Sequence, residues 1–176
     1  MYKKANNRMQ FSLNYRFLLT VAGVLALFSG VISVALVLVI WPSGVYVPLW
    51  GQQSIATHLV AYSAVFGFVL GWVATKSTRR ALQHSRVLPL HWHLKSQTLI
   101  DRLPAGAFNR AFILSLLGLT ISLIMLLILN VQQLHLLPRT DYLVLSTVYA
   151  MLLAVAITTM SVYRALGDSF LHHSKV

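Results

Sequence analysis

The sequence of 176 residues contains no cysteine and no glutamate, and its only acidic residues are Asp101, Asp141 and Asp168. The absence of cysteine excludes disulfides, thiol nucleophiles, iron–sulfur clusters and cysteine-bound zinc. Three separated aspartates are too few for a carboxylate cage around calcium or magnesium, or for a carboxylate pair acting as acid and base. We therefore expect no catalytic residue and no cofactor.

Charge is also scarce, because only 10% of the residues are charged and 57% are hydrophobic, whereas soluble domains have about 25% charged residues. The sequence has long uncharged runs instead, the longest being residues 17–40, directly after Arg16. As a helix this run would be about 36 Å long, which is enough to cross a hydrocarbon core of about 30 Å. It is too long for a cleavable signal peptide, so we interpret it as an uncleaved membrane anchor.

Three further apolar segments predict an all-α integral membrane protein, a bundle of four transmembrane helices that could be two tandem helical hairpins. The predicted helices lie at about 17–41, 59–75, 111–129 and 142–163. The hairpins would span 17–75 and 111–163, with a basic N-terminus at 1–16, a basic loop at 76–110 and a tail at 164–176. Between Pro89 and Pro104 of the loop, apolar and polar residues alternate, so we expect a short segment lying flat on the membrane, or else a plain solvated loop.

The basic residues predict the orientation of the chain. The N-terminus, the 76–110 loop and the tail hold four, seven and two of the 14 lysines and arginines, and only Arg139 lies elsewhere. By the positive-inside rule, these three segments lie on the cytoplasmic side, in what we interpret as a bacterial inner membrane. We expect the loop to bind anionic lipid headgroups rather than nucleic acid. The residues expected to do so are Lys76, Arg79, Arg80, Arg86 and Lys95.

The two halves of the sequence share a weak repeat. At an offset of 95, four residues of the first predicted helix match residues of the third: Asn14, Phe17, Leu19 and Gly23 with Asn109, Phe112, Leu114 and Gly118. At an offset of 84, the triplet 80–82 matches 164–166, both reading Arg-Ala-Leu. Duplication would relate the halves by an axis along the membrane normal, but apolar helices with arginine-marked ends also match by coincidence.

Small residues recur at helical spacing in the predicted spans, where they allow helix backbones to approach closely. Two stripes are candidates for helix packing or partner binding. The first holds Ala22, Ala26 and Gly30, and the second holds Ser63, Gly67, Gly71 and Thr75. The second contains a GxxxG motif, which could pack against this protein's own helices or receive a helix from another protein or another copy.

Histidine is the only residue type left that could bind a metal or act as a general base. The weak candidates for a metal site are His91, His93, His172 and His173. Two pairs could together hold an ion, but a spacing of two residues suits metal binding only in an extended segment, and no carboxylate completes the set. A solvated C-terminal tail is the alternative for the second pair.

No Asp, Glu, Lys, Arg or His lies inside a predicted span, although such residues usually mark proton relays and ion pathways. We therefore expect a non-catalytic integral membrane subunit that docks on or scaffolds a larger membrane complex, with other integral membrane proteins or further copies as partners. The alternative is a small oligomeric transporter or pore with a path lined by serine and threonine. The weakest hypothesis is a histidine-dependent membrane enzyme.

Overall fold

A computed structural model describes residues 2–42, 44–84, 86–87 and 103–173, with side chains between residues 13 and 167 of these ranges. Its four helices are α1 (Tyr2–Ile40), α2 (Ile55–Gln83), α3 (Ala107–Val131) and α4 (Arg139–His173). All four are long and apolar enough to cross a membrane. The prediction of an all-helical protein with four helices able, by length and composition, to cross a membrane is confirmed.

The helices extend beyond the apolar runs that predicted them. α1 begins at Tyr2, within the basic N-terminus, and α2 continues to Gln83, past Lys76 and Arg79. Lysine, arginine and glutamine are good helix formers, so a helix need not stop where its sequence becomes polar. The length of an apolar run therefore indicates which part of a helix is suited to hydrocarbon, and not where the helix ends.

The helices pack in the order α1, α4, α2, α3, which is not their order in the sequence. α2 and α4 pack against each other in the middle, α1 packs mainly on α4, and α3 packs mainly on α2. The helices within each predicted hairpin, α1 with α2 and α3 with α4, scarcely touch. Each half is therefore connected as a hairpin, but its first helix packs on the second helix of the other half.

Two short strands join the loops at one end of the bundle. β1 (Tyr46–Pro48) and β2 (Leu136–Pro138) pair antiparallel, with Val47 opposite Leu137. Both strands end in proline, which lacks a backbone N–H and so limits the ladder. The sequence analysis did not predict this pair. We call this end of the molecule the strand end, and the opposite end, with the starts of α1 and α3, the basic end.

The weak sequence repeat corresponds only partly to this arrangement. Exchanging the halves exchanges α1 with α3, α2 with α4 and β1 with β2, which preserves the packing order. Ala81 and Ala165, matched at the offset of 84, are both buried. However, Gly23 is exposed whereas its match at the offset of 95, Gly118, is buried. The residues matched at the offset of 95 therefore do not occupy equivalent environments.

Candidate functional site

The GxxxG motif of α2 lies against α3 of the same chain. A Cβ atom added at Gly67 would lie 3.0 Å from the Cα of Ser115, and one added at Gly71 would lie 3.3 Å from the Cα of Ala111. These are backbone contacts, and both glycines are buried. The face that the sequence offered for packing or for a partner is therefore filled by α3.

The same stripe continues toward both ends of α2. Ser63 is fully buried, and its Oγ lies 2.6 Å from the hydroxyl oxygen of Tyr149 on α4. Thr75 is also fully buried, and its hydroxyl has no hydrogen-bond partner among the described residues. From the facing helix α3, the hydroxyl of Ser115 donates to the carbonyl of Ala64 on α2 at 2.7 Å. Ser63 of α2 and Ser115 of α3 thus link α2 to both of the helices that it packs against.

The small residues of α1 form its contact with α4. Ala22 and Ala26 are buried, and a Cβ added at Gly30 would meet the side chain of Met151 at 2.6 Å. Ser29, beside this stripe, donates to the carbonyl of Ala150 at 3.0 Å. The stripe predicted for packing on α1 lies against another helix of this chain.

Ser29 also connects α1 to α2, although these helices otherwise scarcely touch. The hydroxyl oxygens of Ser29 and Tyr62 lie 2.6 Å apart, and the Tyr62 hydroxyl donates to the Ser29 carbonyl at 2.9 Å. Both residues are buried. One buried polar junction therefore joins three helices in the interior of the bundle.

An aromatic cluster closes the strand end of the bundle. His58, in the first turn of α2, shares a hydrogen bond between its Nδ1 and the hydroxyl of Tyr142, and Trp41 packs edge-on against both rings. Trp41 is only 6% exposed and His58 only 8%, whereas the sequence analysis placed neither in a core. No sequence signal paired these two residues with the distant Tyr142.

At the basic end, three arginines from three helices converge on one turn. Arg79 donates to the carbonyl of Ala105, Arg164 donates to that of Leu103 at 2.7 Å, and Arg110 donates to that of Pro104 at 3.1 and 3.2 Å. Arg110 is fully buried. The sequence analysis assigned Arg79 to lipid headgroups, but here its guanidinium also positions the segment that starts α3.

The remaining residues expected to bind lipid are exposed where the structure describes them. The ammonium of Lys76 lies 4.3 Å from the ring centroid of Trp72, and Arg80 and Arg86 are exposed. Lys95 lies outside the described residues, as does the predicted flat segment between Pro89 and Pro104 apart from its last residues.

The four candidate metal-binding histidines lie outside the residues whose side chains the structure describes. His91 and His93 lie outside the described residues, and only the helical backbone is described at His172 and His173. Within the described part of the chain, no three His, Cys, Asp or Glu side chains form a group that could hold a metal. Comparisons with protein-family models, with characterised proteins and with solved structures give no match for this chain.

Proposed function

We propose that this protein is a non-catalytic integral membrane subunit that docks on, or scaffolds, a larger membrane complex. The hydrogen bonds that its buried serine side chains form between helices support this proposal. Ser29, Ser63 and Ser115 bond across helix interfaces, and in hydrocarbon such bonds hold helices together. The chemistry of the interior thus serves to fix four helices relative to one another.

The free face of α1 is the best surface for a partner. Only 22% of the spanning segment of α1 is buried, against 44% for α2, because α1 packs mainly on α4. At Gly23 an added Cβ would have no atom within 4 Å, so this face has a bare stretch of backbone beside the exposed Leu27. An apolar transmembrane helix of another protein could approach closely there.

Purification from native membranes without crosslinker tests the proposal. The wild-type chain should retain one other integral membrane protein in constant stoichiometry. Gly23→Ile should lose that protein at unchanged abundance, because an added Cβ at this position has no atom of its own chain within 4 Å. Thr120→Ile is the matched control, since Thr120 is a small exposed residue of α3, and it should retain the partner.

Two results would contradict the proposal. Recovery of the chain alone, as a monomer or a pure homo-oligomer, would exclude a stable foreign partner. Equal retention of a partner by wild type, Gly23→Ile and Thr120→Ile would exclude the free face of α1 as the docking surface.

We further propose that both termini are cytoplasmic and that the membrane is a bacterial inner membrane. Support comes from charge, since 13 of the 14 lysines and arginines belong to the N-terminus, the 76–110 loop and the tail, and Arg139 starts α4 at the strand end. Fusions at Val176 test the orientation. A fluorescent protein should be active there and alkaline phosphatase inactive, and the reverse result would invert the topology.

The alternative of an oligomeric transporter or pore is supported by one observation. The hydroxyls of Thr75, Thr158 and Ser161 are fully buried and have no partner among the described residues, and an unpaired polar group in hydrocarbon is costly. A passing polar solute or ion could satisfy them. A pure homo-oligomer that conducts a solute in liposomes, with flux reduced by Thr158→Val, would favour this alternative over the docking subunit.

A further inference from the structure

The outer side of the α2–α3 pair has a strip that changes from aromatic to cationic toward the basic end. Along α2, Phe68, Trp72, Lys76 and Arg79 follow one another at spacings of three or four residues and so share a face. Phe108 of α3 packs edge-on against Phe68, with ring centroids 5.3 Å apart. We call these five residues the aromatic–cationic strip.

The apolar part of the strip is open to the surroundings of the protein. Phe108 is 64% exposed and Trp72 is 39% exposed. The indole ring also holds the Lys76 ammonium at 4.3 Å from its centroid, which is a cation–π distance. The exposed aromatic side chains therefore continue along the surface to the Lys76 ammonium, which the Trp72 ring positions.

The basic end has far more positive charge than the chain itself can neutralise. In the sequence, the N-terminus, the 76–110 loop and the tail carry 13 lysines and arginines, and the only acids in these segments are Asp101 and Asp168. Even if both aspartates pair with arginines, 11 positive charges are left for other anions. Arg79 belongs to this end of the molecule, where its guanidinium donates to the Ala105 carbonyl.

We propose that the aromatic–cationic strip is a binding site for one anionic phospholipid. The phosphodiester group would bind between Lys76 and Arg79, and an acyl chain would lie along Phe68, Trp72 and Phe108. Only an amphiphile with an anionic head matches a surface that is cationic at the membrane boundary and aromatic below it. This inference does not depend on the docking of a partner on α1, which lies away from α3.

Native mass spectrometry of the full chain, released from mixed phosphatidylglycerol and chain-matched phosphatidylcholine, tests the site. The wild type should retain one phosphatidylglycerol in preference to phosphatidylcholine. Lys76→Gln with Arg79→Gln should weaken this retention about thirtyfold. Arg16→Gln with Arg86→Gln is the matched control, because it removes two exposed charges from the same end but off the strip, and it should change retention by at most about threefold.

A second variant guards against misfolding, because Arg79 also supports the turn before α3. Trp72→Leu keeps the surface apolar but removes the ring under the Lys76 ammonium, and it should weaken retention about threefold at unchanged thermal stability. Equal loss in both charge pairs would show diffuse attraction and overturn the site. Equal retention of the two lipids by the wild type, or displacement of the lipid by inorganic phosphate at constant ionic strength, would overturn it as well.

Discussion

Two helix interfaces of this protein are built on small residues at the same spacing, yet they differ in what the small residues touch. At the α2–α3 interface, Gly67 and Gly71 face the backbone of the neighbouring helix, at Ser115 and Ala111. At the α1–α4 interface, Gly30 faces the side chain of Met151. In the first contact, the glycine backbone of α2 lies against the backbone of α3. In the second, the glycine backbone of α1 lies against a flexible thioether side chain of α4.

The difference shows that one sequence motif can give a rigid or an adaptable interface. A helix backbone cannot move away from a new methyl group without shifting the whole helix, so the α2–α3 spacing is fixed by the two glycines. Methionine is unbranched and has three rotatable side-chain bonds, so Met151 can adopt another rotamer. We therefore expect the α2–α3 interface to be far less tolerant of larger side chains.

The largest effect is expected for Gly67→Ile combined with Gly71→Ile. Both side chains would enter the space of the α3 backbone, and overpacking of this kind typically costs 1–3 kcal/mol, or occasionally more, at each site (about 2–6 kcal/mol together). Membrane abundance and resistance to unfolding in sodium dodecyl sulfate should both fall sharply. Normal abundance with loss of a partner protein would instead mean that this groove docks a helix from outside, contrary to the packing seen here.

Adding a single methyl group should change the stability of the protein by different amounts at the two interfaces. Gly67→Ala should destabilise the protein by about 1–3 kcal/mol, because the Ser115 Cα would lie only 3.0 Å away. Gly30→Ala should change stability by less than about 1 kcal/mol, since Met151 can move and alanine favours the helix. Unfolding curves in mixed micelles measure both variants, and equal destabilisation would remove the proposed distinction.

The smallest effects are expected where serines link the same two pairs of helices. Ser115→Ala removes the bond to the Ala64 carbonyl, and Ser29→Ala removes the bond to the Ala150 carbonyl. Each should cost about 0.6 kcal/mol and at most about 1.7 kcal/mol, as for other hydrogen bonds between membrane helices. The same unfolding assay applies. A loss at Ser115 larger than that for Gly67→Ala would mean that hydrogen bonding, and not backbone approach, fixes the α2–α3 spacing.

The sequence predicted the small-residue stripes because their spacing is a local property of a helix. It did not show which helix each stripe would face, since four apolar helices of similar composition offer many pairings. Gly23 and Gly118 illustrate this limit of the sequence, because they match in the repeat but differ in their surroundings. Gly23 is exposed, whereas a Cβ added at Gly118 would lie 3.2 Å from the carbonyl oxygen of Ser63.

The aromatic cluster at the strand end was beyond sequence reasoning for a similar reason. His58 and Tyr142 are 84 residues apart, and each lies at the edge of a different predicted span. The strand pair brings these loops together, and it consists of only three residues on each side. A segment so short carries no periodic pattern from which its pairing could be inferred.

The sequence by itself determined that this protein has four helices long and apolar enough to cross a membrane, because the cost of burying charge and the length needed to cross hydrocarbon are properties of each segment alone. Only the tertiary structure decided the order α1, α4, α2, α3, the filling of the GxxxG face by α3 and the burial of His58. Lipid solvates every apolar helix face about equally well, so hydrophobicity does not select neighbours. Selection depends on the fit of particular side chains and on single hydrogen bonds, which exist only once the helices are in contact.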